Sequence, residues 1–346
     1  MKKVVTFGEA LLRLSAPENL RFSQASEYTA TYGGSELNVA ASLANFGLPS
    51  EFVTRLPDNA IAKACLKDFR SHGLCTDGIV IGGHRMGIYF MESGAAFRNS
   101  TVVYDRTDSA CSTLEPGMID WRSIFKDAGW FHWSGVAAAI SQSAADTCLE
   151  AIKIADSMGL TISCDLNYRK NLWNYGRKAS DVMIPLVNYS HVLFGAEPEY
   201  EAILGVKPVG FEALDASYKL DLDGFEQYGK QLKTIVPHCK KFFLELRNTI
   251  TSNHHTLAGV LYSDDSLKHT QIYDVNPVVD CVGTGDAFCG GLIAGLHFYP
   301  GNDQKALDFA LAASAMKNTF KGDFNLASVD EVTALMDGGD TGKVQR

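Results

Sequence analysis

The sequence predicts an α/β fold: a central, mostly parallel sheet flanked by helices on both faces. Three observations lead there. Short β-branched or apolar runs alternate with helical patterns along most of the 346 residues, and such alternation implies crossover connections that make strands parallel and bury both sheet faces. The hydrophobic fraction is 46% and the aromatic fraction 10%, which supports a large core and argues against disorder. The length suits one large domain with an appendage, read here as residues 1–340.

Each element follows from its local pattern. "KVVTFG" at the N-terminus reads as a buried strand, with Glu9 and Arg13 interrupting the apolar stretch that follows. "SELNVAASLANFG" reads as a helix with Ser35 as N-cap and Gly47 as its stop. "SEFVTRL" is a strand, and "NAIAKACLKDFRSHG" has apolar residues at helical spacing. "WFHWSG", "TISCDLN", "HVLFGA", "KKFFLEL" and "TLAGVLYS" read as further strands, with the helix "SQSAADTCLEAIKIADSMG" between the first two. "DAFCGGLIAGLHF" and "DQKALDFALAASAMKNTF" are closing helices, and the stretch from Val206 to Leu222 is a surface excursion. "ENLRFSQASEYTATYGG" and "MGIYFMESGAAFRNSTVVYDRTDSA" break the rhythm. Their alternation is that of exposed antiparallel strands. They predict a small β lid from about 10–33 and 86–110.

Composition excludes several classes. The net charge is −9, from 31 basic and 40 acidic residues, with no Lys/Arg block. That argues against nucleic-acid or membrane-surface partners but leaves room for an anionic small substrate held by a few arginines. No apolar run spans a bilayer, and Glu9 and Arg13 make the N-terminus a poor signal peptide. The eight cysteines form no CxxC pair, as expected of free thiols in a reducing cytoplasm. The histidines are too scattered for a zinc site, and His254 and His255 read as loop or strand-end residues.

The chemistry concentrates in "VVDCVGTGDAFCGG", Val278–Gly291. A strand ending near Asp280, then Gly283 and Gly285, then a helix from Ala287, places unpaired amides at a helix N-terminus, where an anion is favoured. Asp286 could be no more than an acidic helix-start residue. Two other glycine patterns are excluded. No Lys-Ser/Thr follows the second glycine, and Phe288 stands where a dinucleotide fingerprint needs its third glycine. An acid beside an anion site suits phosphoryl transfer: the amides stabilise the moving phosphoryl group while the carboxylate takes the proton of the attacking hydroxyl.

"DCVGTGDAFCGGLIAG" resembles the C-terminal signature of ribokinase-like (PfkB-type) sugar kinases, commonly D-T-x-G-A-G-D-x-F. "YGGSELNVAASLANFG" resembles the same family's N-terminal Gly-Gly-x-x-x-N-x-A motif. The two lie at opposite ends of the chain in the family's order, so the resemblance covers essentially all of it. It implies a ribokinase-like fold, Asp286 as catalytic base, and an anion hole from Gly283, Thr284 and Gly285. It also places Gly34 and Asn38 on the substrate-contacting motif. "GIYF", "VVYDRTDSA" and "CDLNYRKNLW" look like segments of 2-keto-3-deoxygluconate kinases. Their sugar-acid substrate calls for cations, here Arg106 and Arg169, with Tyr89, Tyr104 and Asn167 alongside. A guanidinium pairs with a carboxylate bidentately. "FKGDFN" makes Asp323 a partner for a substrate hydroxyl.

Taken singly, Arg106 also fits a solvated edge arginine, Arg169 a structural ion pair, and Arg247 a strand-end surface arginine. The tyrosines also fit ordinary packing. The chain departs from the family at "FGAEPEYE": Ala196 stands where many members carry Asn, while Glu199 keeps the acid that is linked to magnesium. The usual Gly-x-x-Gly is replaced by "LELRNTITSNHH", with Arg247 near the nucleotide. The resemblance thus implies a cytoplasmic, homo-oligomeric kinase using ATP and Mg2+ to phosphorylate 2-keto-3-deoxygluconate at its 6-hydroxyl. A neutral-sugar kinase is the nearer alternative and a non-catalytic sugar-acid sensor the more distant one. A dehydrogenase is the remotest, for want of the dinucleotide fingerprint.

Overall fold

The computed structural model describes residues 2–210 and 219–339. The N-terminal third contributes strands β1 (Lys3–Phe7), β2 (Leu11–Ser15), β3 (Thr29–Gly33), β4 (Ser50–Val53), β5 (Arg55–Leu56), β6 (Val80–Ile81), β7 (Gly87–Glu92) and β8 (Thr101–Asp105). Helices α1 (Ser35–Asn45) and α2 (Ala60–Ser71) lie among them. The middle supplies α3 (Trp121–Phe125), β9 (Ala128–Ser134), α4 (Gly135–Ala139), α5 (Gln142–Ser157), β10 (Thr161–Asp165), α6 (Ala179–Val187), β11 (Val192–Gly195) and α7 (Glu197–Leu204). The chain continues through α8 (Leu222–Ile235), β12 (Lys241–Thr251), β13 (His254–Ser263), β14 (Ser266–His269) and β15 (Tyr273–Val275). It closes with α9 (Thr284–Phe298), α10 (Asp303–Lys317) and α11 (Val329–Met336).

The main sheet runs β14-β13-β12-β11-β10-β9-β1-β4, with β15 paired to β13. From β4 to β12 every pairing is parallel; β13, β14 and β15 are antiparallel additions. The period-2 pleat divides the strand side chains between two cores. Phe242 and Leu244 join the core that contains Ala151 of α5 and Leu232 of α8. Their neighbour Phe243 joins the core that contains Leu43 of α1 and Leu292 of α9. Helices therefore cover both faces.

The two alternating stretches meet in a separate four-stranded sheet, ordered β3-β2-β7-β8. The outer pairings are antiparallel, but the central one, β2 with β7, is parallel. The expected "ENLRFSQASEYTATYGG" strand is confined to β3. Its partner is "LLRLS", which lies within the expected lid range of 10–33 but outside the alternating stretch itself. Three further expectations are corrected. Ser35 does not cap α1; Gly34 holds the cap position and the Ser35 hydroxyl bonds elsewhere. No strand ends at Asp280, since β15 stops at Val275. Helix α9 begins at Thr284 rather than Ala287, because Gly283 takes a left-handed turn (φ 82°) that delivers the chain into the helix at once. Residues 211–218 of the expected surface excursion lie outside the described residues.

Helix α9 is set by close packing on its neighbours. A Cβ on Gly290 would stand 2.7 Å from Ser42 Cβ of α1, and one on Gly295 would stand 2.8 Å from Ala306 Cα of α10. Replacing Gly295 by alanine therefore pits a helix-propensity gain of about 1 kcal/mol against backbone overpacking of roughly 1–3 kcal/mol. We expect Gly295→Ala to lower the thermal midpoint. An unchanged or higher midpoint would show that α9 and α10 separate without cost.

Candidate active site

A cleft of about 600 Å³ opens where the main sheet's strand ends face the smaller sheet. Open α/β sheets place ligands at the carboxyl ends of their strands. The floor is the first turn of α9. Its amides at 283, 284, 285 and 286 have no acceptor among the described residues. A Cβ on Gly285 would meet nothing nearer than Glu245 Oε2 at 3.8 Å, so the turn is open on that side. This is a helix-end anion site.

Asp286 occupies the same turn and is 9% exposed. Helix α1 holds it from the other side: the Ser35 hydroxyl donates to Oδ1 at 2.9 Å and the Asn38 amide to Oδ2 at 2.7 Å. Burial pushes its carboxyl up to about 6, against the pull of Asn38, Ser35 and the nearby Arg169. At neutral pH it is ionised yet able to take a proton. Asn38 also accepts from the Gly34 amide at 3.3 Å, which fixes its orientation. Gly34 has no room for a side chain, since a Cβ would lie 2.1 Å from the Glu9 carbonyl oxygen. Asn38 thus orients the carboxylate of Asp286 rather than standing free for substrate.

The other predicted residues converge on this cleft, several with partners of their own. Tyr89 is buried, and its hydroxyl donates to Asp323 at 2.7 and 2.8 Å. Asp323 is buried too and accepts a further bond from Arg13 at 2.8 Å. Its carboxylate is therefore largely committed within the protein. Tyr104 lines the cleft with its ring half exposed. Arg106 packs over that ring and is paired with Glu9, to which its Nε donates at 2.8 Å. It is neither a solvated edge residue nor an uncompensated cation. Asn167 (φ 34°) donates to Ser35 Oγ at 3.0 Å and to Asp165 at 3.2 Å. Its buried side-chain oxygen has no partner among the described residues. Arg169 lines the cleft, is exposed, and has no ion pair among the described residues. It is the cation on this wall with its charge available.

On the opposite side Arg247 donates to Thr284 Oγ1 at 2.9 Å and to Glu245 at 3.1 Å. It thereby braces the turn that carries the amides. Glu199 accepts from the Ala196 amide at 2.8 Å and closes the start of α7. Burial raises its pKa. Asp165, deeper in the cleft, is raised well above the carboxylate range, by burial first and then by Glu199 and Asp286. No group of three His, Cys, Asp or Glu among the described residues could cage a metal.

Sequence reasoning missed Ser35 as a partner of Asp286, Glu9 as the counter-ion of Arg106, and Arg13 as the counter-ion of Asp323. A usable signal existed for the last two. Charged residues inside short apolar strands seldom stay buried without partners.

The whole chain can be placed among known proteins. Residues 1–326 match the model of the pfkB family carbohydrate kinases. The chain is 30% identical to a 2-dehydro-3-deoxygalactonokinase of Haloferax volcanii, over 98% of each chain. It is 26% identical to Fructokinase-1 of Oryza sativa, over 96% of this chain and 97% of the relative. The crystal structure of a 2-dehydro-3-deoxygluconokinase from Thermotoga maritima superposes with a TM-score of 0.90 at 38% identity, covering 98% of this chain and 100% of that one. With a free anion hole and a buried carboxylate on one helical turn, the chain belongs to the pfkB family of carbohydrate kinases and is a sugar kinase.

Proposed function

We propose that this kinase transfers a phosphoryl group from ATP to the 6-hydroxyl of 2-keto-3-deoxygluconate. The observation that carries the chemistry is Asp286 beside the unpaired amides of 283–286. Asp286 accepts the hydroxyl proton while the amides hold the transferring group. The acidic substrate rests on the arginines of the cleft, with Arg169 free to meet the carboxylate and Arg106 held beside Tyr104 by Glu9. The likeness to the kinases for dehydro-deoxy sugar acids supports the same reading.

ATP and magnesium fit this cleft together. Among its lining residues are six acids (Glu9, Asp165, Glu199, Glu245, Asp286 and Asp323) and three arginines (Arg106, Arg169 and Arg247). So acidic a cleft holds a polyphosphate only with a compensating cation. Magnesium, which is bound through one or two carboxylates plus phosphates and water, would supply that neutralisation, and Glu199 is the carboxylate that would hold it, through water. Arg247 lies on the nucleotide side. We assign the smaller sheet as a lid that excludes water. Strand β8 is its exposed edge and fits pairing with a second copy. Sedimentation as a monomer at assay concentrations would remove that pairing.

The base assignment sets the pH dependence. The rate constant kcat/KM should rise with pH and level off above an apparent pKa of about 6. Asn38→Ala removes a bond to the ionised form, so its midpoint should move upward. Asp286→Asn should cost roughly 10²-fold or more in kcat. The folded value lies above the ordinary 3.8, so protonated Asp286 favours the fold. That contribution is complete below pH 3.8 and lost as pH rises through about 6. Asp286→Asn should therefore melt higher than its parent at pH 8, which separates lost chemistry from lost folding. Wild-type product formation by that variant would sink the base assignment.

The substrate assignment is tested by a coupled ATP-consumption panel of sugar acids and neutral sugars. Arg169→Ala should raise KM for the acid roughly 10- to 100-fold, as losing a charged hydrogen bond of about 1.5–3 kcal/mol implies, and barely change KM for fructose. Arg106→Ala should act in the same direction and also lower the melting temperature, because it leaves Glu9 buried without its partner. Equal turnover of fructose and the keto-deoxy acid by the parent enzyme would overturn the acid-specific reading.

A further inference from the structure

Behind the catalytic wall lies a cluster of four buried charges: Arg13, Asp280, Lys317 and Asp323. Arg13 comes from β2 of the smaller sheet, Asp280 from the loop before α9, Lys317 from the end of α10, and Asp323 from the loop beyond it. The Arg13 fork spans both acids, with Nη2 to Asp280 at 2.6 Å and Nη1 to Asp323 at 2.8 Å, and its Nε donates to Ser15 Oγ at 2.7 Å. Lys317 Nζ donates to the carbonyls of Asp280 and Phe320 at 3.2 and 3.3 Å.

The two carboxylates of this cluster lead to the active site. The Asp280 carboxylate also accepts the Val282 amide at 3.0 Å and the Gly322 amide at 3.1 Å. It thus ties the residue just before Gly283 to the loop beyond α10. The turn at Gly283 presses on the Asp323 backbone, where a Cβ would lie 2.1 Å from the carbonyl oxygen. Asp323 receives the Tyr89 hydroxyl, and Tyr89 lines the cleft. One guanidinium therefore joins the loop leading to the free amides, the wall of the sugar pocket, and the smaller sheet. Buried ion clusters add little net stability relative to apolar packing. What this one supplies is a fixed distance: a rigid planar fork holds two carboxylates at set angles, whereas an ammonium on a flexible stem does not.

We propose that Arg13 is a positioning residue for phosphoryl transfer, locking the smaller sheet to the loop that leads to the amides of 283–286 so that acceptor and phosphoryl group meet with water excluded. The inference rests on the kinase reading of this cleft but not on the identity of the sugar. If the parent enzyme prefers another sugar, the test is run with that one.

The experiment compares the full-length parent with Arg13→Lys, which keeps the charge but not the fork, and with Ser15→Ala, which keeps every charge and frees the guanidinium edge. For each, kcat, KM for both substrates, the ratio of ADP to sugar phosphate formed, and the folded fraction are measured together. Arg13→Lys should lose roughly 10- to 100-fold in kcat per folded molecule, with little change in KM for ATP. Its ratio of ADP to sugar phosphate should rise above one as water competes with the sugar. Ser15→Ala should shift both quantities the same way by less. A folded Arg13→Lys enzyme lacking either change overturns the proposal. If Arg13→Lys does not fold, Ser15→Ala decides: parental kcat or a one-to-one ratio overturns the proposal, and both changes together support it.

Discussion

A carboxylate and an anion site share the first turn of α9, and each makes the other harder to hold. The unpaired amides favour negative charge, but Asp286 already brings one, and burial there penalises its ionised form. Helix α1 relieves this conflict. Ser35 and Asn38 donate to the two oxygens of Asp286 and turn the carboxylate onto α1, leaving the amides of 283–286 unoccupied. The arrangement requires α1 and α9 to approach closely. The missing side chain of Gly290 at the Ser42 contact makes that approach possible. Much of the architecture is a means of bringing these two helix starts together at the strand ends.

The acidic character of the cleft follows from the same constraint. Glu36 is fully buried beneath it, bonded by the Ser134 hydroxyl, and burial pushes its carboxyl up to about 7. Asp165 and Glu199 are raised for the same reason. A polyphosphate and its cation entering this cleft would change the field on all of these groups at once, since low-dielectric surroundings strengthen every pairwise term. The arginines divide the work by their partners. Arg106 and Arg247 are held by neighbouring acids, whereas Arg169 is left open to a ligand.

Local patterns made the framework legible. Strand–helix alternation, the two exposed alternating stretches and the glycine pair before Asp286 all report on contacts within a few residues of themselves. The roles of Asn38 and Asp323 were less legible, because which group a polar side chain faces depends on segments far away in the chain. Asn38 bonds to a residue 248 positions away, and Asp323 to Arg13, 310 positions away. Glu9 and Arg13 looked like mere interruptions of an apolar run until the smaller sheet brought their partners to them.

By itself, then, the sequence determined the fold class, the order of most of its elements, and the motif at which we propose phosphoryl transfer, because periodicity and turn chemistry are local properties. Only the tertiary structure decided which charges are spent on each other and which face the cleft. Pairing Arg106 with Glu9 and Arg13 with two aspartates requires three-dimensional proximity and loss of water. Neither is written in the spacing of residues along the chain.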